Sequence, residues 1–207
     1  SQPVLKETSK KTTTSGKKVV TFTTEATTTS TTKDKSKGKA IKILAIGNSF
    51  SVDAMNNHLF DIFEAAGYTD ITLGNLYIGG CSIDTHYQNI MSNAKNYEFR
   101  MRSHNGRKYT EYETTTVGDK KQSISYAIAY RDWDIISVQQ ASGYSGQADS
   151  YNNLDALVAE VQKQATNPDV EIVFNMTWAY QEGSTHAQFP DYDSDQMTMY
   201  NAIINAV

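Results

Sequence analysis

The chain has 207 residues, a formal net charge of −4 and 39% apolar side chains, enough for one sizeable core and a tail. Nine Lys against three acidic residues fall within residues 1–40, leaving the remainder at −10, and an acidic globular part repels phosphate backbones, which argues against nucleic acid as a partner. The lone Cys81 excludes an internal disulfide and a Cys-based zinc site, and the sequence has no run of 18 apolar residues to span a membrane.

Residues 1–40 are dominated by Thr, Ser and Lys, with Thr27-Thr28-Thr29-Ser30-Thr31-Thr32 as the clearest low-complexity run. Such a segment buries too little apolar surface to offset chain entropy, so it reads as a linker from a preceding module or as an extended arm. Val19-Val20-Thr21-Phe22-Thr23 has the pattern of a strand. Because the chain begins with Ser, any leader is expected to precede it.

Residues 41–207 alternate short apolar runs with helical periodicity, the pattern of a parallel sheet covered by helices. Strands are predicted over 41–46, 71–77, 134–139 and 170–176. After the first, Met55, Leu59, Ile62, Phe63 and Ala66 share a helical face, with Gly67 as its stop. Ile83, Tyr87, Ile90, Met91 and Ala94 predict a second covering helix, and Leu154, Leu157, Val158 and Val161 a third. Between these two, residues 97–116 alternate polar and aromatic side chains around Asn105-Gly106, predicting a small β-hairpin insertion. A last helix over 193–207 would bury Met197, Tyr200, Ile204 and Val207. The expected fold is a flavodoxin-like three-layer α/β sandwich with a central parallel sheet. A fifth strand and its helix are expected beyond the end of this chain.

In open α/β sheets ligands bind outside the carboxyl ends of the strands, and Gly47-Asn48-Ser49 lies where the first strand gives way to its helix. Ser49 is therefore a candidate nucleophile, with a helix N-cap as the competing reading of Ser49 or Ser51. Gly79-Gly80 ends the second strand, where a positive-φ glycine would turn the chain tightly. Gln139-Gln140 ends the third. Among the histidines, His58 sits about 13 Å along the first helix at 1.5 Å per residue and points away. His186, in the loop after the fourth strand, is on the correct edge, and Asp191 or Asp193 could orient it.

Ile46-Gly47-Asn48-Ser49-Phe50-Ser51, Leu76-Tyr77-Ile78-Gly79-Gly80-Cys81-Ser82 and Val138-Gln139-Gln140-Ala141-Ser142 together resemble the first three blocks of the SGNH (GDSL-like) hydrolase superfamily, in a poorly characterised bacterial branch. The resemblance spans about residues 41–200. It implies Ser49 as nucleophile, the Gly80 N–H in the oxyanion hole, and Gln140, or Gln139 second, in place of the Asn whose side chain usually completes that hole. The superfamily's C-terminal Asp-x-x-His does not occur here, so the general base is expected either from sequence beyond Val207 or from His186.

These readings converge on a serine esterase that removes acetyl or other short acyl groups from carbohydrate, with no metal or organic cofactor. Tyr77, His86, Trp178 and Tyr180 are the candidate substrate contacts, since aromatic faces suit sugar rings. A secreted or cell-surface location is expected, with other modules of the same polypeptide reached through the N-terminal linker. The competing readings are a non-catalytic carbohydrate-binding module of the same fold and a flavodoxin-like phosphate or nucleotide binder using the Gly47 to Ser51 loop.

Overall fold

The computed structural model describes residues 38–105, 109–114 and 121–207 and, before them, two short strands. The chain divides into two compact units, Ser1–Lys37 and Gly38–Val207. In the first, Val4–Leu5 (β1) pairs antiparallel with Ala26–Thr27 (β2). The strand expected over 19–23 lies outside the described residues.

The second unit is built on Lys39–Gly47 (β3), a nine-residue strand whose last seven residues include Ile41, Ile43, Leu44, Ala45 and Ile46, all buried. A strand apolar on both faces needs cover on both, which places it at the centre of a parallel sheet. Tyr68–Tyr77 (β4) and Ile135–Val138 (β7) flank it in parallel, and Glu171–Phe174 (β8) adds parallel to β7. The four run in the order second, first, third, fourth, the doubly wound arrangement in which the crossover direction reverses beside the first strand. Glu98–Asn105 (β5) and Tyr109–Thr114 (β6) form the expected hairpin. It is not a separate appendage but extends the sheet antiparallel beyond β4, while its turn at 106–108 lies outside the described residues.

Side chains alternate across β3 and so feed two cores. Ile41, Ile43 and Ala45 join Ile71 and Leu73 under the segment Ser49–Asp53 (α1), Ala54–His58 and Leu59–Ala65 (α2). Leu44 and Ile46 face the larger core with Leu76, Phe99, Trp133, Ile136 and Val138, against Ile83–Met91 (α3), Ile124–Ala129 (α4) and Leu154–Gln164 (α5). Helices therefore lie on both faces, and among the described residues no helix is long and apolar enough to cross a membrane.

Two predicted faces are corrected. Met55, Leu59 and Phe63 pack on the core as expected, but Ala54–His58 is a π turn, which adds a residue to the repeat, so Phe60 is buried in their row while Ile62 and Ala66 are exposed. Gly67, at φ +86°, does follow the end of α2. The last helix, Gln196–Ala206 (α6), turns Met199 and Ile203 inward onto Phe189 and Tyr192, leaving Met197, Tyr200, Ile204 and Val207 exposed. Apolar residues surround this helix, so periodicity alone admitted either face.

Candidate active site

The carboxyl end of β3 opens into a tight elbow. Asn48 adopts an extended conformation (φ −135°, ψ −149°) and its Oδ1 accepts from Phe50 N at 3.2 Å, capping α1. Gly47 has no room for a side chain, because a Cβ there would lie 2.4 Å from Ser51 Oγ. The cap is thus Asn48, not either serine. Ser51 is buried, its Oγ 2.8 Å from Asn48 O and 2.9 Å from Asn75 Oδ1. Ser49 is exposed, and its hydroxyl has no hydrogen-bond partner among the described residues.

Asn48 also joins three loops that are distant in sequence. Its Nδ2 donates to Cys81 O at 3.0 Å and to Gln140 O at 3.2 Å, tying the β3 elbow to the turns after β4 and β7. The Gln139 carboxamide bridges Asn48 Oδ1 (2.6 Å) and Asn175 Nδ2 (3.1 Å), bringing in the end of β8. Sequence reasoning missed this role, although an Asn between an apolar strand and an exposed serine is a polar group that burial would oblige to find partners.

Ser49 lines a cavity of about 540 Å³ with Phe50, Ser142, Trp178, Tyr180 and His186. Trp178 packs edge-on to Phe50 at 4.3 Å between ring centroids and remains 56% exposed, so one indole face is open to a ligand. Tyr180 stacks on His186 at 4.3 Å, and its Oη donates to Ser142 Oγ at 2.8 Å and lies 3.2 Å from His186 Nε2. Burial, partly offset by the Ser142 bond, raises the Tyr180 phenol above its ordinary value, so the group stays protonated. His186 Nδ1 accepts from Gln188 N at 3.4 Å; Asp191 and Asp193, the expected orienting acids, do not bond the ring.

The structure brings Ser49, Trp178, Tyr180 and His186 together and leaves the other expected site residues out of the cavity. Gly80 adopts φ +64°, a left-handed conformation that glycine tolerates without strain, on the exposed turn that Asn48 holds through Cys81 O. Gly80 N–H has no acceptor among the described residues. Gln140 is corrected. It is fully buried, its Oε1 accepts from Ile83 N (3.1 Å) and Ala141 N (2.8 Å), and its Nε2 donates to Ser150 O (2.8 Å) and Ser150 Oγ (2.9 Å), so no donor remains to reach an oxyanion.

His86 and Tyr77 are corrected as substrate contacts. His86 is fully buried under the sheet edge, with Nδ1 2.8 Å from Tyr97 Oη and 3.5 Å from Cys81 Sγ. Desolvation drives its pKa down to about 3, and burial pushes the Cys81 thiol up to about 11, so both stay neutral. The Tyr77 ring lies under the Arg100 guanidinium at 4.6 Å and closes over Gly79, whose Cβ would come 3.0 Å from its hydroxyl. Among the described residues no three His, Cys, Asp or Glu side chains are grouped to hold a metal ion.

Comparison with known proteins adds relatives for this architecture. Residues 42–207 match the family model described as a domain of unknown function, DUF4886. A DUF4886 family protein from Bacteroides uniformis ATCC 8492, known from a crystal structure, is 41% identical with a TM-score of 0.74, the match covering 82% of this chain. This chain spans 62% of that relative's length. A candidate SGNH hydrolase from Slackia heliotrinireducens aligns at 18% identity and a TM-score of 0.43, over 81% of this chain and 74% of that one. Comparison with curated proteins finds no match. On the family match over most of its length, the chain belongs to the DUF4886 family.

Proposed function

We propose that this domain is a serine ester hydrolase acting on short acyl groups carried by carbohydrate, with Ser49 as nucleophile. The observation that carries the reading is that Ser49, exposed and with its hydroxyl unbonded, shares one cavity with an imidazole and an open indole face. The resemblance of the three strand-end motifs to SGNH hydrolases supports it.

Ser49 Oγ attacks the acyl carbonyl, and the backbone N–H groups of Ser49 and Gly80 receive the developing oxyanion. His186 takes the Ser49 proton on Nδ1, displacing the long 3.4 Å contact from Gln188 N, while Nε2 remains on Tyr180. Tyr180 thus holds the imidazole in place of the expected carboxylate. The sugar hydroxyl leaves with the proton held by His186, and water then cleaves the acyl-serine to the free acid and restores Ser49. Trp178 offers an apolar face for a sugar ring. The Thr/Ser/Lys-rich residues 1–40 support an extracellular setting with further modules on the same polypeptide.

The test is acetate release from acetylated xylan, and hydrolysis of p-nitrophenyl acetate, by the full chain and by Ser49→Ala. A loss of about a thousandfold or more is expected in the variant. Equal rates remove Ser49 from the mechanism. The second reading, a carbohydrate-binding module without turnover, is favoured by one observation: neither Asp191 nor Asp193 bonds His186. Glycan affinity with no acetate release would select it.

A further inference from the structure

One wall of the cavity is a directional chain of donors. Gln188 N points at His186 Nδ1 from 3.4 Å, a long contact that favours the tautomer with the proton on Nε2 yet gives way when Nδ1 takes a proton, and Nε2 faces Tyr180 Oη at 3.2 Å. Tyr180 Oη donates onward to Ser142 Oγ at 2.8 Å. A serine hydroxyl that accepts one bond still has its own proton to give. No acceptor for the Ser142 proton exists among the described residues, and Ser142 lines the cavity with Ser49.

The turn bearing Ser142 is held rigidly. Tyr192 Oη donates to Gly143 O at 2.7 Å, Ser145 Oγ donates to Ser142 O at 2.7 Å, and Gln188 packs on Gly143, where a Cβ would come within 2.2 Å of its carboxamide. Preorganised donors of this kind stabilise developing charge without the cost of reorganising as the reaction proceeds.

We infer that Ser142 Oγ–H donates to the acyl oxygen of the substrate, aimed by the His186 to Tyr180 to Ser142 chain. Resting on the hydrolase reading of Ser49, the assignment supplies the side-chain donor that Gln140, turned into the core, does not. The same chain couples the two halves of the mechanism. A proton arriving on His186 Nδ1 makes Nε2–H a charged, stronger donor to Tyr180, and each bond in a chain polarises the next. The donor to the oxyanion therefore strengthens at the moment Ser49 is deprotonated.

The experiment is steady-state hydrolysis of p-nitrophenyl acetate by the full chain and by Ser142→Ala, Ser142→Thr and Tyr180→Phe, with unfolding midpoints measured alongside. Ser142→Ala is expected to lower kcat about a hundredfold with KM and midpoint nearly unchanged. Ser142→Thr, which keeps the hydroxyl, recovers most of the rate, and Tyr180→Phe loses more than Ser142→Ala because it releases both the Ser142 hydroxyl and the His186 imidazole. Wild-type kcat in Ser142→Ala, with Ser49→Ala inactive, overturns the inference and leaves the hydrolase reading intact. So does a 15N spectrum showing His186 protonated on Nδ1, since that tautomer reverses the chain. If the full chain shows no Ser49-dependent turnover, the hydrolase reading fails by itself. Calorimetric binding of an acetylated xylo-oligosaccharide then decides the donor role: about tenfold weaker affinity in Ser142→Ala sustains it, and equal affinity ends it.

Discussion

Asn48 donates to the carbonyl of Cys81 at 3.0 Å across 33 residues of sequence, and this bond fastens the turn carrying Gly80 to the residue that precedes Ser49. The same carboxamide group bonds Gln140 O and caps α1 through Phe50 N, so one buried side chain sets the relative positions of Ser49 and the turns after β4 and β7.

Asn48→Ala removes the cap and strands two buried carbonyls. It is expected to cost about 3 kcal/mol of stability and, in the fraction that folds, to reduce ester hydrolysis as well. Urea unfolding followed by fluorescence, with rates normalised to folded protein, checks both. A stability loss below about 0.5 kcal/mol, the range of ordinary surface substitutions, would mean that the loops are held by other contacts.

The two serines of the elbow should separate cleanly. Ser51→Ala gives up a buried hydroxyl facing Asn48 O and Asn75 Oδ1 and is expected to destabilise by about 1–2 kcal/mol. Ser49→Ala, at an exposed and unbonded hydroxyl, should stay within about 0.5 kcal/mol of the parent while losing hydrolysis. Matched unfolding curves and acetate assays on both variants would reveal a reversal, which would make Ser51 the reactive group.

Gly47→Ala drives a methyl group against Ser51 Oγ and Gln139 Nε2, which stand 2.4 and 3.1 Å from the position of the added carbon. Overpacking of this kind costs about 1–3 kcal/mol, and here the strain falls on the elbow itself. Activity should therefore fall more than stability. Unaltered kcat in the variant would show that the elbow has slack that the static geometry does not suggest.

Acid lability should trace to His86. Its pKa is about 3 in the folded chain against an ordinary 6.5, so between those values the unfolded chain binds a proton that the folded one refuses. The groups bonded to its ring, Tyr97 and Cys81, are neutral there, so neither compensates the charge. Stability is then complete above about pH 6.5 and falls by roughly 1.4 kcal/mol per pH unit below it, until the folded pKa is reached. Urea midpoints from pH 7 to pH 4 should show this slope, and His86→Gln should flatten it. An equally steep limb in the variant would assign the lability to other groups.

The positions of the strands were legible in the sequence, because a strand buried on both faces must be apolar almost throughout and 41–46 is, with Lys42 its one polar residue; their order in the sheet was not. Ser49 could be placed at the carboxyl edge of the sheet for a local reason: a strand ended and a helix began. The elbow motif needed no distant information. The hairpin was also readable from alternation, though not its attachment to β4.

Directions of polar side chains were decided only by the tertiary structure. Gln140 and Ser142 are two residues apart in one polar run, yet the carboxamide turns down to Ile83 and Ser150 while the hydroxyl faces the cavity. His86 looked like a cleft residue until the packing of α3 buried it against Tyr97. In each case the decisive partners lie in segments remote along the chain. Local pattern fixes where a backbone goes, whereas a polar group points wherever burial leaves it a partner, and those partners exist only once the chain has folded.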